Sequence, residues 1–178
     1  MPSRSPPVAL PSPDLKLFLV INSVENAGGR GYPEATREKE VIMAVMPENV
    51  QNLFKEVENV VFATARDDAQ PNCCIVAMKA VIDDETVYLS DQFFKKTLAN
   101  VQANPKVSVI FWKGHEAYEL YGTARYVNEG AEFEAQKAWV DAAFEQAGLP
   151  MRAKGGCFVH IEGVYSSTPG PTAGDPVA

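Results

Sequence analysis

Two histidines and three cysteines are all the imidazole and thiol ligands in this chain of 178 residues, and they fall as His115, His160, Cys73, Cys74 and Cys157. No zinc spacing can be drawn through them, so no metal site is expected. Adjacent residues on a strand point to opposite faces, which makes Cys73 and Cys74 poor disulfide partners. The simplest reading is a set of buried free thiols in a reducing compartment, hence the cytoplasm. No apolar run reaches the roughly 18 residues that a membrane span needs. Basic residues are also short: 16 Lys and Arg against 23 Asp and Glu give a net charge of −7. Neutralising duplex phosphates needs a basic face, so a duplex nucleic-acid binder is excluded, while a local basic pocket is not. Against these deficits the hydrophobic fraction is 46%, enough for the core of one domain.

Residues 1–46 differ from the rest. They carry six of the thirteen prolines (Pro2, Pro6, Pro7, Pro11, Pro13 and Pro33) and the Gly28–Gly29–Arg30–Gly31 cluster. Their five basic and five acidic residues cancel, so the whole of the −7 belongs to 47–178. Leu15–Val24 is mildly apolar, but Lys16 and Asn22 interrupt it and no A-x-A site follows, so it does not read as a signal peptide. The expectation is a flexible Pro/Gly-rich extension over 1–46. A sharper form of it takes Met46 as the natural start, because Pro47 opens a helix directly after it.

From Pro47 onward Val50, Leu53, Phe54 and Val57 recur at helical spacing. The period then changes. Val60–Arg66 reads as a strand, 67–71 as a turn, Asn72–Ile82 as one long strand, and Thr86–Asp91 as the next after the Asp83–Asp84–Glu85 turn. A short helix over Lys95–Asn104 stops at Asn104–Pro105. Lys106–Lys113 and Ala117–Asn128 give two more strands, Gly130–Gly148 a longer helix, and Cys157–Ser167 the last strand. Residues 169–178 form a Pro/Gly-rich tail. Hairpin-length turns dominate and strands do not alternate with helices, so the fold class expected is mainly β, an antiparallel barrel with peripheral helices.

The stretch that carries chemistry is Ser90-Asp91-Gln92-Phe93-Phe94-Lys95-Lys96-Thr97, which leaves a strand and enters a helix. Free N–H groups and partial positive charge at a helix N-terminus disfavour cations there. Lys95 and Lys96 are relieved if an anion sits above them, with Thr97 adding a hydroxyl donor. Two readings stay open on this evidence: solvated lysines, or a site for one phosphate group.

The run Asp91–Val101, closing with Asn104-Pro105-Lys106-Val107-Ser108, resembles the pyridoxamine 5′-phosphate oxidase-like family of FMN-binding split barrels. Pro71–Lys79, Gly122-Thr123-Ala124-Arg125 and the ending Pro169–Gly174 share the resemblance, which spans about 47–174. It implies a six-stranded antiparallel Greek-key split barrel over 47–168 and a homodimer with FMN in the interface grooves. It places the phosphate on Lys96 and Thr97, with Lys95 beside them. It runs Ile75, Val76 and Ala77 along the flavin ring, mostly through backbone groups. It sets Lys79 at the ring, and Ser90 and Asp91 at the ribityl or phosphate atoms.

Two departures accompany it. Cys74 stands where the oxidases carry a phosphate-binding arginine, and their C-terminal arginine and histidine for pyridoxamine phosphate are missing. Vitamin B6 oxidation is therefore not expected. The function expected is an FMN-binding flavoprotein serving as oxidoreductase or electron carrier, with unknown electron donor and acceptor. The alternative is a cofactor-binding protein without turnover, holding flavin, haem or a deazaflavin on the same fold. No catalytic residue is identified. Cys73, Cys74 and Cys157 read as small strand hydrophobes, His115 and His160 as surface residues, Trp139 as packing, and Phe93–Phe94 as facing a ligand. Phe111 and Trp112 fit core, dimer or flavin border.

Overall fold

The computed structural model describes residues 44–178. The expectations for residues 1–43 lie outside them. The elements are α1 (Glu48–Glu56), β1 (Val60–Ala65), β2 (Pro71–Val76), β3 (Lys79–Asp83), β4 (Thr86–Asp91), α2 (Lys96–Ala103), β5 (Lys106–Lys113), β6 (Glu116–Val127), α3 (Ala131–Gln146) and β7 (Gly155–Ser166). All strands pair antiparallel in one sheet of order β2-β1-β5-β6-β7-β4-β3. The class is mainly β with peripheral helices, as expected.

There are seven strands among the described residues rather than the six expected. The difference arises where Asn72–Ile82 was read as one strand. The chain breaks at Ala77–Met78, so that β2 pairs with β1 while β3 pairs with β4. Both halves are rich in apolar residues and no glycine or proline separates them, so nothing in the local pattern marks the change of partner. The consequence is geometric. Edge strands of a flat seven-stranded sheet would lie about 29 Å apart at the usual strand spacing. Yet Val76 and Lys79 are three Cα–Cα steps apart, at most about 11 Å. The sheet must curl until its two edges meet at this corner, and the Ser90 N–H to Met78 C=O bond of 2.9 Å fastens the crossing to the end of β4.

The curl encloses the main core. Val60 and Phe62 of β1, Val109 and Phe111 of β5, Leu120 of β6 and Val159 and Ile161 of β7 are fully buried. The α1 helix presents Val50, Leu53 and Phe54 to it, with the Phe54 ring edge-on to Phe111 at 5.1 Å. Each such side chain contributes roughly 1.5–3 kcal/mol by leaving water. Ala44 and Met46 are buried in the same core, and the Met46 N–H donates to Asp84 C=O at 2.7 Å. A second core lies outside the curl, where Phe133, Val140 and Phe144 of α3 cover Tyr88 and Phe158. The β4 strand is therefore buried on both faces, whereas β1 alternates.

Gly122 sits where the β6–β7 register shifts. A Cβ there would stand 2.3 Å from the His160 carbonyl oxygen, so only glycine lets the two backbones approach. The tail lies back on β7: Val177 N–H donates to Val164 C=O at 2.7 Å, and Ser166 N–H to Asp175 C=O at 3.0 Å. It occupies the stretch of β7 beyond its pairing with β4.

Candidate functional site

Ile75 and Val76 end β2 and Ala77 follows it, Lys79 starts β3, Ser90 and Asp91 end β4, and Lys95, Lys96 and Thr97 enter α2. The start of β3 adjoins the end of β4 through the Lys79↔Leu89 pair. The α2 helix adjoins β2 through side-chain hydrogen bonds.

Four residues build the floor of this corner. Thr97 is buried, its hydroxyl accepting from Asn72 Nδ2 at 3.1 Å and donating to Cys74 Sγ at 3.4 Å. Asn72 Nδ2 also donates to Thr64 Oγ1 at 3.2 Å, and Asn100 Nδ2 to the same oxygen at 3.0 Å. The network ties β1, β2 and α2 together. Thr64, Asn72 and Asn100 were not picked out from the sequence. A signal was present, since Thr64 and Asn72 occupy inward-facing positions of their strands, where a polar side chain must find a partner.

Above the floor is the N-terminus of α2. It has no side-chain cap and no acidic residue in its first turn, so its first N–H groups are offered outward. Lys95 and Lys96 are exposed beside it. Of the eleven described lysines and arginines, Arg66, Lys106, Lys113, Arg125, Lys137 and Arg152 stand within ion-pair distance of a carboxylate. The other five, Lys55, Lys79, Lys95, Lys96 and Lys154, do not, and of these Lys95 and Lys96 are the pair at a helix N-terminus. A cleft of about 430 Å³ runs along the side of α2 against the β1–β2 turn, bordered by Arg66, Asp67, Lys96, Ala99, Asn100 and Ala103; Lys95 and Thr97 do not line it. This arrangement fits a single phosphomonoester, held by helix N–H groups and two cations. The Thr97 hydroxyl now rests on a thiol sulfur, a weak acceptor that yields to a stronger one. Cys74, which the resemblance sets where the oxidases carry an arginine, is half-buried and burial pushes its pKa up, so it adds no cation here.

The β2 strand is an edge with pairing on one side only. Its other side offers unpaired N–H and C=O groups. Ile75 is 74% exposed on the outer face, Val76 faces the core and Ala77 is exposed. The Lys79 ammonium turns toward α1, donating to Val57 C=O at 2.6 Å and lying 5.5 Å from the Phe54 ring centroid. Partial burial lowers its pKa.

Ser90 and Asp91 are both buried. Ser90 Oγ accepts from Gln92 Nε2 at 2.7 Å. Asp91 Oδ1 accepts from the Phe94 N–H at 2.7 Å and Oδ2 from the Tyr126 hydroxyl at 3.0 Å. The aromatic pair divides: Phe93 is 73% exposed, whereas Phe94 packs on Phe62 at 5.9 Å. Cys73 is exposed, not buried; Cys157 is buried. Trp112 is 53% exposed at the end of β5, while Phe111 is core. Trp139 is half-buried against the second core, donating to Gln136 Oε1 at 2.8 Å. Both histidines are exposed. Among the described residues no group of three or more His, Cys, Asp or Glu could hold a metal ion, and no helix is long and apolar enough to cross a membrane.

Comparison with known proteins bears on this corner. A family model described as pyridoxamine 5′-phosphate oxidase matches residues 46–156. An uncharacterized protein of Methanocaldococcus jannaschii is 32% identical over 133 residues, which are 72% of this chain and 87% of that one. The crystal structure of HupZ from Group A Streptococcus superposes with a TM-score of 0.61 at 24% identity, covering 72% of this chain and 99% of that chain. An FMN-binding protein from Syntrophomonas wolfei gives 0.57 at 15% identity, covering 65% and 82%. Structures described as an F420 reductase and as the heme storage protein of Vibrio cholerae share the fold at 17% and 15% identity.

Proposed function

Because the chain belongs to the pyridoxamine 5′-phosphate oxidase family, without being the vitamin B6 oxidase itself, we propose that it binds FMN at the corner of β2, β4 and α2 and serves as an oxidoreductase or electron carrier. The observation that carries this reading is the uncapped α2 N-terminus with two exposed lysines that no carboxylate of the described residues neutralises. Helix N–H groups, Lys95 and Lys96 hold the phosphate, with Thr97 turning its hydroxyl from Cys74 to the anion. The edge of β2 at Ile75, Val76 and Ala77 offers backbone groups to the ring, and Lys79 stands at the start of the next strand. Bound flavin supplies one- or two-electron transfer, while the chain sets position, potential and access.

A second copy completes the site in this reading. The outer faces of β2, β5 and β6 leave Ile75, Trp112 and Tyr121 exposed, the last at 46%. Large apolar side chains left exposed on one sheet suit a homodimer contact. The three free thiols agree with a reducing compartment. The second reading, a protein that holds flavin, deazaflavin or haem without turnover, draws on the similar structures described as an F420 reductase and as a heme storage protein.

The test is an absorption spectrum of the purified protein followed by FMN titration of wild type and Lys96→Ala. A flavin spectrum with weaker binding in the variant supports the site. A protein that ignores FMN overturns the reading and sends the titration to deazaflavin and haem. Oxidation of NAD(P)H by the loaded protein separates enzyme from carrier.

A further inference from the structure

Asp91 was expected at the ribityl or phosphate atoms, yet its surroundings assign it different work. It is an acidic side chain 3% exposed, directly before the loop that carries the two unneutralised lysines. A carboxylate aimed at a phosphate would repel it. Here both oxygens are held by protein donors: Oδ1 by the Phe94 N–H at 2.7 Å, Oδ2 by the Tyr126 hydroxyl at 3.0 Å. The Asp91 backbone carbonyl takes the Lys154 N–H at 3.1 Å, tying in the segment that leads into β7. Room for the tyrosine comes from Gly155, where a Cβ would lie 2.3 Å from the Tyr126 oxygen. Three segments distant in sequence thus converge on one residue: the β4–α2 loop, β6 and the start of β7.

We propose that Asp91 and Tyr126 form a clamp that positions the 92–96 loop, so that Lys95, Lys96 and the α2 N–H groups converge on one anion. Asp91 and Tyr126 are positioning residues in this arrangement and do not touch the ligand. Hydrogen bonds to an ionised acceptor are the stronger kind. Fixing the loop before binding lowers the ordering cost that the anion would otherwise meet. The clamp rests on the FMN reading for its purpose but not for its existence, and the two are tested separately.

Hydrogen exchange of the Phe94 amide, measured on the full chain without ligand, reads the clamp itself. Tyr126→Phe removes one hydroxyl and should speed Phe94 exchange by about tenfold, the order expected for losing support from one charged hydrogen bond. Asp91→Ala should do the same or more. Asp91→Asn keeps an acceptor for Phe94 and a group for the phenol, and should restore protection. The purpose is read by titrating FMN and riboflavin in parallel. Tyr126→Phe should weaken FMN about fivefold and leave riboflavin unchanged, because only FMN reaches the positioned loop. Unchanged Phe94 exchange in Tyr126→Phe overturns the clamp. Equal losses for both flavins overturn its positioning role, since a general structural defect would give that result. If wild type binds neither flavin, the FMN reading fails while Phe94 exchange still decides the clamp.

Discussion

Replacing Thr64 by valine tests whether the polar floor under α2 holds the site together. The substitution keeps the branched shape and deletes one oxygen. That oxygen accepts from Asn100 Nδ2 at 3.0 Å and Asn72 Nδ2 at 3.2 Å. Asn100 is buried, so the stranded N–H has no water to turn to, whereas Asn72 is half-buried and keeps its bond to Thr97. One buried donor left unpaired costs about 1–3 kcal/mol, and the partly exposed one adds little. Urea unfolding followed by tryptophan fluorescence should show the midpoint falling at constant slope. The double variant Thr64→Val/Asn100→Leu removes both partners, so it should recover part of the loss and show a favourable coupling. A Thr64→Val midpoint indistinguishable from wild type would refute the reasoning. So would a double variant as unstable as the sum of the singles. FMN binding should weaken in Thr64→Val, because the same bonds hold α2 against β1 and β2.

Four further outcomes follow. Gly122→Ala drives a methyl to 2.3 Å from the His160 carbonyl and 2.9 Å from Val159 Cγ1. Both belong to the paired β7 strand, so a loss of about 2 kcal/mol or more is expected in urea unfolding, and a neutral variant would contradict the close approach. In native protein at pH 8, iodoacetamide should label Cys73 first, as it is exposed. Burial, then Asp91 and Cys74, push the Cys157 thiol up to about 12, so it should react only after unfolding; early modification of Cys157 in a mass-spectrometric time course would refute its placement. Lys79→Met should lower the midpoint potential of bound flavin, because a cation near the ring favours the reduced anion, and an unchanged potential removes Lys79 from the ring. In the apo protein the sign runs with pH. Burial lowers the folded pKa of Lys79 below its unfolded value. The charged amine therefore burdens the fold at low pH, and the burden lifts as pH rises from the folded pKa to about 10.4. The stability gap between variant and wild type should shift over that window; a pH-independent gap would contradict the burial.

Much was settled by local pattern. Pro47 followed by Val50, Leu53 and Phe54 marks α1. Thr86–Asp91 and Lys106–Lys113 were read with the bounds that β4 and β5 have. The Lys95–Lys96–Thr97 entry to α2 was legible because cations at a helix N-terminus run against the helix dipole, and that conflict is visible in one dimension. What tertiary structure alone decided concerns partners. The break at Ala77–Met78 creates the seventh strand, yet no glycine or proline marks it, so only the neighbours (β1 on one side, β4 on the other) distinguish its two sides. The family resemblance set Asp91 at the ribityl or phosphate atoms; Tyr126, 35 positions away, donates its hydroxyl to one of its oxygens, a contact that no local pattern announces. Thr64 and Asn72 meet across the β1–β2 ladder, but Thr97 and Asn100 join them only when α2 packs on that pair. Periodicity fixes which face a side chain takes, because that follows from the backbone's own repeat. Which donor meets which acceptor depends on long-range closure, and no local repeat encodes it.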